Sequence, residues 1–366
     1  MQCFFVMCLV GLQWVLFGYS LSFAPDAGYG LIGGLQWVGL NNVGILPGPY
    51  SDKIPHLAFM IFQAMFAIIT PALIVGAFAE RIKFSAFAVM ILLWSTFVYD
   101  PIAHWVWGGG WLGQIGVLDF AGGIVVHASS GVSALVMAIL IGKRVGFGQG
   151  FAPHNLPFTV LGGALLWFGW FGFNAGSALE ANGLAANAFV TTNTASAAAG
   201  LTWAFIEWQR DGAPTVLGIV SGAIAGLAAV TPACGFVSIF SSIIIGVLSG
   251  VFCYMAVAIL KPNLGYDDSL DVFGIHGVGG IWGTIAIGIF ASVAVNDGGV
   301  NGLLFGNAKL FLIQGFSTIA CIVYAVIMTW ILFKFVDAVF CMRVEKQDEL
   351  MGLDLTQHHE SAYTVF

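Results

Sequence analysis

The chain has 366 residues, of which 59% are hydrophobic and 8% charged, with a net charge of −7 and a mean hydropathy of +0.95. A soluble globular domain carries about 25% charged residues, so this composition cannot cover a water-facing surface. No hydrophobic run alternates strictly over about ten residues, as a membrane β-barrel requires. The expected fold class is an all-α polytopic membrane protein.

Apolar runs of roughly 20 residues predict ten transmembrane helices. They lie near 1–23, 57–79, 86–106, 118–142, 157–177, 186–208, 214–231, 236–260, 272–293 and 307–336. The first opens at Met1 on CFFVMCLVGLQWVLFGYSLSFA, and Pro25 follows Ala24. It lacks the basic start of a secretory signal and reads as a membrane helix. The joins ERIKF, GKRVGFGQG, QRDGAP and KPNLGYDD interrupt the apolar runs, and their Pro and Gly fit turns. Two units are expected: a transmembrane domain over 1–338 and a tail over 339–366.

Orientation follows from the basic residues. Arg81, Lys83, Lys143, Arg144, Arg210, Lys261, Arg343 and Lys346 fall on one side, with Lys334 closing the last span there. Lys53 and Lys309 fall on the other. The expectation is a multi-pass cell-membrane protein with both ends cytoplasmic.

Two histidines stand inside apolar, glycine-rich segments: His127 in GGIVVHASSG and His276 in FGIHGVGG. Each has an aspartate eight residues upstream, Asp119 and Asp268. Ionisable groups are costly in hydrocarbon and line pathways when they occur there. Equivalent positions in two halves point to an inverted repeat with the pair at its interface. Asp119 falls at the outer end of its span and Asp268 in a cytoplasmic join, as antiparallel repeats require. Both suit helix caps, and Asp119 is expected also to influence a cation at the outer mouth.

Aromatics form a second constellation. Phe62 and Phe66 lie one turn apart in FQAMFAIIT, Trp107 in HWVWGGG, Trp170 and Phe173 in WFGFNAGS, with Asn174 and Ser177 beside them. A desolvated cation on an aromatic face gains about 2 kcal/mol or more, so such a cluster can take a small cation from water. The bland reading fits other aromatics: Trp208 and Trp330 as interfacial belt, Trp14 and Trp94 as packing between helices. The six cysteines show no CxxC spacing and read as packing residues. HASSGVSA lacks a second catalytic element, so no catalytic residue is assigned, and no P-loop, dinucleotide fingerprint or metal-ligand cluster implies a cofactor.

The chain resembles the ammonium transporter (Amt) branch of the Amt/Mep/Rh family. FGYSLSF, FQAMFAIIT, GAFAERIKF, PIAHWVWGGG, LDFAGGIVVH, LIGKRVGFG, WFGFNAGS, GAIAGLAAVTPACG, DVFGIHGVGGIWG and GLDLTQHHESAY carry the likeness over almost the whole length. The resemblance implies an inverted-repeat bundle, a homotrimer with one path per subunit, and His127 and His276 as the paired pore histidines. It implies an outer ammonium site of Trp107, Ser177 and Phe66 near Asp119, and Phe66 and Phe173 stacked as a gate, with Phe62 and Trp170 in support. It also implies a tail that packs beneath neighbouring subunits and couples them to a PII-type signalling protein. Family members typically have eleven spans, whereas this chain begins at what reads as the second, so a truncated start is expected. Asp100 in VYDPIAH places a carboxylate near the outer mouth where an apolar residue is expected.

The expected mechanism follows from desolvation. A bare ammonium ion in an apolar pore loses tens of kcal/mol of hydration, ammonia only a few. The ion is therefore held by the outer aromatics and loses its proton before or at the histidines, and ammonia passes. The partners are ammonium and ammonia, with no nucleic acid. The alternative is an ammonium sensor with little conduction; a short tail without a signalling domain favours transport. A water or glycerol channel lacks its paired Asn-Pro-Ala motifs here.

Overall fold

In a hydrocarbon environment every backbone N–H and C=O must be satisfied within the segment, which selects helices. The computed structural model describes residues 1–151 and 153–361, and it answers that demand with ten long helices. They are α1 (Gln2–Phe23), α2 (His56–Phe78), α3 (Phe84–Gln114, with a turn at 107–110), α4 (Gly123–Ile141) and α5 (Leu156–Gly176). Then follow α6 (Gly183–Asp211), α7 (Val216–Val230), α8 (Ile239–Leu264), α9 (Phe273–Phe290) and α10 (Ala308–Phe340). Eight are long and apolar enough to cross a membrane on length and composition alone. The other two are α7, which has 15 residues, and α6, diluted by Asn187, Thr191, Thr192, Asn193 and Thr194. Each predicted span has its helix, so the polytopic all-α reading holds.

The polar joins supply the caps. Asn155, Asn182, Thr215, Ser238 and Asn307 each accept a backbone N–H from the first turn of α5, α6, α7, α8 and α10. Two short strands, β1 (Pro47–Gly48) and β2 (Ser51–Pro55), form a hairpin in the join before α2.

α4 packs against α2, α9 and α10, while α6, α7 and α8 pack mainly on one another. α5 rests on α6 and α7, yet of its 21 residues only Trp170 and Asn174 are buried. Five helices contain or begin with a π-helical turn: 14–18, 95–99, 123–128, 256–260 and 273–277. Such turns widen the helix by one residue and recur at functional sites. His127 lies in the third and His276 in the fifth.

α10 runs to Phe340, two residues past the expected domain boundary, and the tail then folds back as α11 (Lys346–Met351) and α12 (Leu353–His358). The Arg343 guanidinium donates to the Ile141 and Lys143 carbonyls and to Glu349, whose other oxygen accepts the Val145 N–H at 2.6 Å. Fully buried Arg81 donates to the carbonyls of Ala77, Ala79, Gly142 and Asp267 and to the Ser269 hydroxyl. Arg144 grips Asp267 through Nε and Nη2. Burial alone raises the Asp267 carboxyl, but the Arg144 hydrogen bonds outweigh it and hold the group below its ordinary value. One face of the bundle, here the tail side, is thus stitched together. The opposite face is the Trp107 side.

Candidate site along an aromatic column

The site begins at two breaks in the chain. Before α4, Gly122 takes φ +115°, and before α9, Asp271 takes φ +59°. Each sits five residues ahead of its histidine, so the two halves repeat the same turn. Only a residue without a side chain enters the first conformation without strain. Asp119 then caps α4: Oδ1 accepts the N–H of Gly122 and Gly123 at 2.8 and 2.7 Å, Oδ2 those of Ile124 and Val125 at 2.8 and 3.3 Å. Asp268 caps α9 more sparingly, with Oδ2 accepting the Phe273 N–H at 2.8 Å and Oδ1 buried without a partner among the described residues. Burial, reinforced by Asp271, lifts the Asp268 carboxyl to about 6, although the Phe273 N–H and Lys261 pull it down.

The two turns deliver their histidines to one place. His127 and His276 face each other Nδ1 to Nδ1 at 3.3 Å, with ring centroids 5.2 Å apart and planes 24° apart. One nitrogen must donate and the other accept, so the pair shares a proton-bearing contact. His127 Nε2 is buried and has no partner among the described residues. α9 reaches this close because Gly280 lacks a Cβ; one would meet His127 Cβ at 2.6 Å.

From the histidines the aromatics continue as a column. Trp170 lies 5.4 Å from His127 and, at 1° to its plane, 6.4 Å from His276. Phe173 lies 6.2 Å from His127 and 4.3 Å from Phe66. Phe66 meets Trp107 edge-on at 5.6 Å and Phe62 edge-on at 4.9 Å. The Phe66 and Phe173 rings are tilted by 38°, where the resemblance implies a stack. Phe66 is 1% exposed, so the pair closes the column where they meet.

The remaining expected residues take defined places. Trp107 Nε1 donates to the Asp119 carbonyl at 2.8 Å, which fixes the indole beside the α4 cap. The Asp119 carboxylate itself is committed to four backbone donors, so its contact with the column is the main-chain one to Trp107. Ser177 ends α5, and its hydroxyl donates to the Phe173 carbonyl. Asp100 is fully buried, bound by Gln13 and Ser22.

Three contributors were not singled out in the sequence. Thr231 Oγ1 accepts the Trp170 Nε1–H at 2.8 Å and locks that ring flat against the histidines. Gln314 of α10 pairs with both backbone groups of Leu118 and steadies the Asp119 turn. Its signal was a lone amide in an apolar helix. Gly280 carried no signal beyond its type.

Known proteins resemble this chain in sequence and in fold. The profile of the Ammonium Transporter Family matches residues 1–363. The chain is 54% identical over 363 residues to an ammonium transporter of Bacillus subtilis, covering 99% of this chain and 89% of that one. It is 51% identical over 363 residues to ammonium transporter Amt1 of Archaeoglobus fulgidus, at the same coverage. The crystal structure of Saccharomyces cerevisiae Mep2 superposes with a TM-score of 0.87 at 39% identity, over 93% of this chain and 78% of that one. A sensor Amt protein superposes at 0.87 with 27% identity, over 97% and 88%.

Proposed function

Because this chain belongs to the ammonium transporter family, we propose that it moves ammonium nitrogen along the aromatic column and past the twin histidines. The observation that carries this reading is the unbroken succession Trp107, Phe66, Phe173, Trp170, His127, His276, in which the buried His127 Nε2 has no partner among the described residues.

The ammonium ion is held on the faces of Trp107 and Phe66 with Ser177 at hand, where cation–π attraction replaces part of its hydration. The Trp107 indole N–H is already bonded, so the ring offers the ion its π face. The Asp119 charge, behind the Trp107 anchor, raises the local preference for a cation. Beyond the Phe66–Phe173 closure, with Phe62 and Trp170 behind it, a bare cation meets ring faces and imidazoles along the column rather than a carboxylate among the described residues. Its desolvation exceeds what the rings return, so the proton leaves and ammonia continues. Imidazole offers one donor and one acceptor, which matches ammonia's lone pair and N–H groups. The histidine pair can also pass a proton separately, and this reading makes transport electrogenic.

The Trp107 side faces outward and the tail side the cytoplasm, in keeping with the basic residues gathered at the tail side. The almost bare α5 is the face on which other copies sit, giving a homotrimer with one path per subunit. The folded tail is the platform for a PII-type signalling protein.

Methylammonium uptake by cells expressing the chain tests the reading. Saturable uptake that falls at least tenfold in His127→Ala is expected. A chain that reaches the membrane without any uptake refutes transport and leaves the sensor reading. In liposomes, absence of an ammonium-evoked current with both histidines intact rules out charge movement.

A further inference from the structure

Trp107 stands at the end of a helix whose last two turns are held by a polar clamp with no other evident task. Asp100 is fully buried, with Gln13 Nε2 donating to Oδ2 at 2.8 Å and the Ser22 hydroxyl donating to Oδ1 at 3.3 Å. One helical turn later His104, also fully buried, sets Nδ1 3.0 Å from the Ser22 carbonyl and Nε2 3.2 Å from Asp26 Oδ1. The Asp26 side chain is 33% exposed and belongs to the join after α1. The same join grips the chain around and beyond Trp107: the Leu31 carbonyl accepts the Trp105 indole N–H at 2.7 Å, and the Gly30 carbonyl accepts the Trp111 N–H at 3.1 Å.

Such a cluster is costly to bury unless each group is satisfied. An apolar contact between α1 and α3 would fasten the helices at no such cost. What the polar version adds is direction. Four attachment points, at Asp100, His104, Trp105 and Trp111, fix both rotation and height of the turn that presents Trp107, while apolar packing tolerates sliding. The π-helical turns at 14–18 and 95–99 sit immediately beside Gln13 and Asp100, where an extra residue per turn lets the two side chains meet.

We propose that Asp26, Asp100 and His104 are positioning residues that set the Trp107 ring for the recruited cation. The anomalous carboxylate of VYDPIAH is then the root of this clamp, and Asp26 its solvent-facing end. This inference rests on the transport reading above, in which Trp107 meets the cation.

The experiment is a double-mutant cycle read by methylammonium uptake. Asp26→Ala, His104→Ala and Asp100→Ala are each made alone and with Trp107→Leu, with Asp100→Asn as the conservative variant and membrane-located protein quantified throughout. Asp26→Ala lies at the surface and keeps the test open if a buried variant does not accumulate. Expected is a rise in the half-saturation concentration, about tenfold for His104→Ala and less for Asp26→Ala, with the maximal rate within twofold. None of them shifts it further once Trp107 is Leu, and Asp100→Asn, which still accepts from Gln13 or Ser22, stays near the parent. Equal shifts with and without Trp107, or a fall in maximal rate at constant half-saturation, overturn the clamp. Absence of uptake by the parent chain, or no effect of Trp107→Leu alone, overturns the transport reading beneath it.

Discussion

Removing the Asp119 carboxylate tests the foundation of the site. Its two oxygens take four backbone N–H groups, three of them within 2.8 Å. Hydrogen bonds to a charged group contribute about 1.5–3 kcal/mol each, and a buried donor left unsatisfied costs a similar amount. In Asp119→Asn the amide oxygen keeps two donors while its NH2 confronts the other two, so the expected loss is about 3–6 kcal/mol. Asp119→Ala abandons all four and approaches the whole stability of an ordinary domain, so that variant is expected not to accumulate. Trp107 hangs on the main-chain carbonyl of the same residue, hence the Asn variant should also show a raised half-saturation for methylammonium. The assay is SDS titration of detergent-purified protein followed by tryptophan fluorescence, beside uptake in cells. An Asn variant with the parent's unfolding midpoint and no transport would refute the capping argument. The carboxylate would then act mainly through its charge on the cation.

Gly280→Ala places a Cβ 2.6 Å from that of His127 and 2.7 Å from the Gly123 carbonyl. Overpacking of this kind costs about 1–3 kcal/mol, and uptake should fall at least tenfold because His127 is pushed from His276; parent-like uptake argues against a strict pairing. Asp268 supplies the pH dependence. Its carboxyl stands at about 6 against 3.8 for a freely solvated aspartate, so the folded state binds its proton more tightly. That contribution is complete below about 3.8 and is lost as pH rises through about 6. The stability difference between parent and Asp268→Asn should therefore shift in the parent's favour on acidification from pH 7.5 to 5, by about 1.4 kcal/mol for the one pH unit below 6. Thermal profiles of parent and Asp268→Asn that run parallel across this range refute the assignment. Glu349→Gln weakens the bond to Arg343 within the tail and the bond from the Val145 N–H that joins tail to loop; the expected sign is earlier proteolysis of the tail with the column intact, checked by limited digestion and uptake.

Much of this was legible because lipid simplifies the code. Ten apolar runs became ten helices, since a chain that cannot expose its backbone has few alternatives. The paired spacing of Asp119 to His127 and Asp268 to His276 was legible for the same reason: a charge in such a run needs a cause. The helix starts were harder. The span expected from 118 begins at Gly123, because residues 117–122 are taken up by the Asp119 turn and by Gln314 of α10. Pairings of that kind join residues nearly two hundred positions apart, and no local pattern announces them. The π-helical turns were equally silent, since the extra residue per turn is stabilised by tertiary contacts and leaves no mark in hydropathy. Asp100 looked out of place for that reason: its partners, Gln13 and Ser22, lie in another helix.

The two halves share a turn but differ in how tightly it is tied, and that difference has a direction. On the Trp107 side four N–H groups converge on Asp119, Gln314 braces the preceding residue, and the indole is fixed to the same turn. On the tail side Asp268 holds one N–H and leaves an oxygen unpartnered among the described residues, while Lys261 braces the turn through the Asp268 carbonyl and the Asp271 carboxylate, and the neighbouring Asp267 is engaged by Arg144 and, through its carbonyl, by Arg81. Under the proposed transport reading, a rigid turn suits an end that presents a ring face at fixed height to an ion, because misplacement there forfeits the cation–π gain. A sparsely capped turn suits an end whose position answers to its surroundings. Those surroundings are loops 79–83 and 142–146, the same loops that Arg343 and Glu349 tie to the tail. The mirrored backbone thus places two differently tied turns around a single histidine pair, and the tail touches both halves: Arg343 holds the Ile141 carbonyl at the end of α4, and Glu349 holds the loop whose Arg144 grips Asp267 ahead of α9.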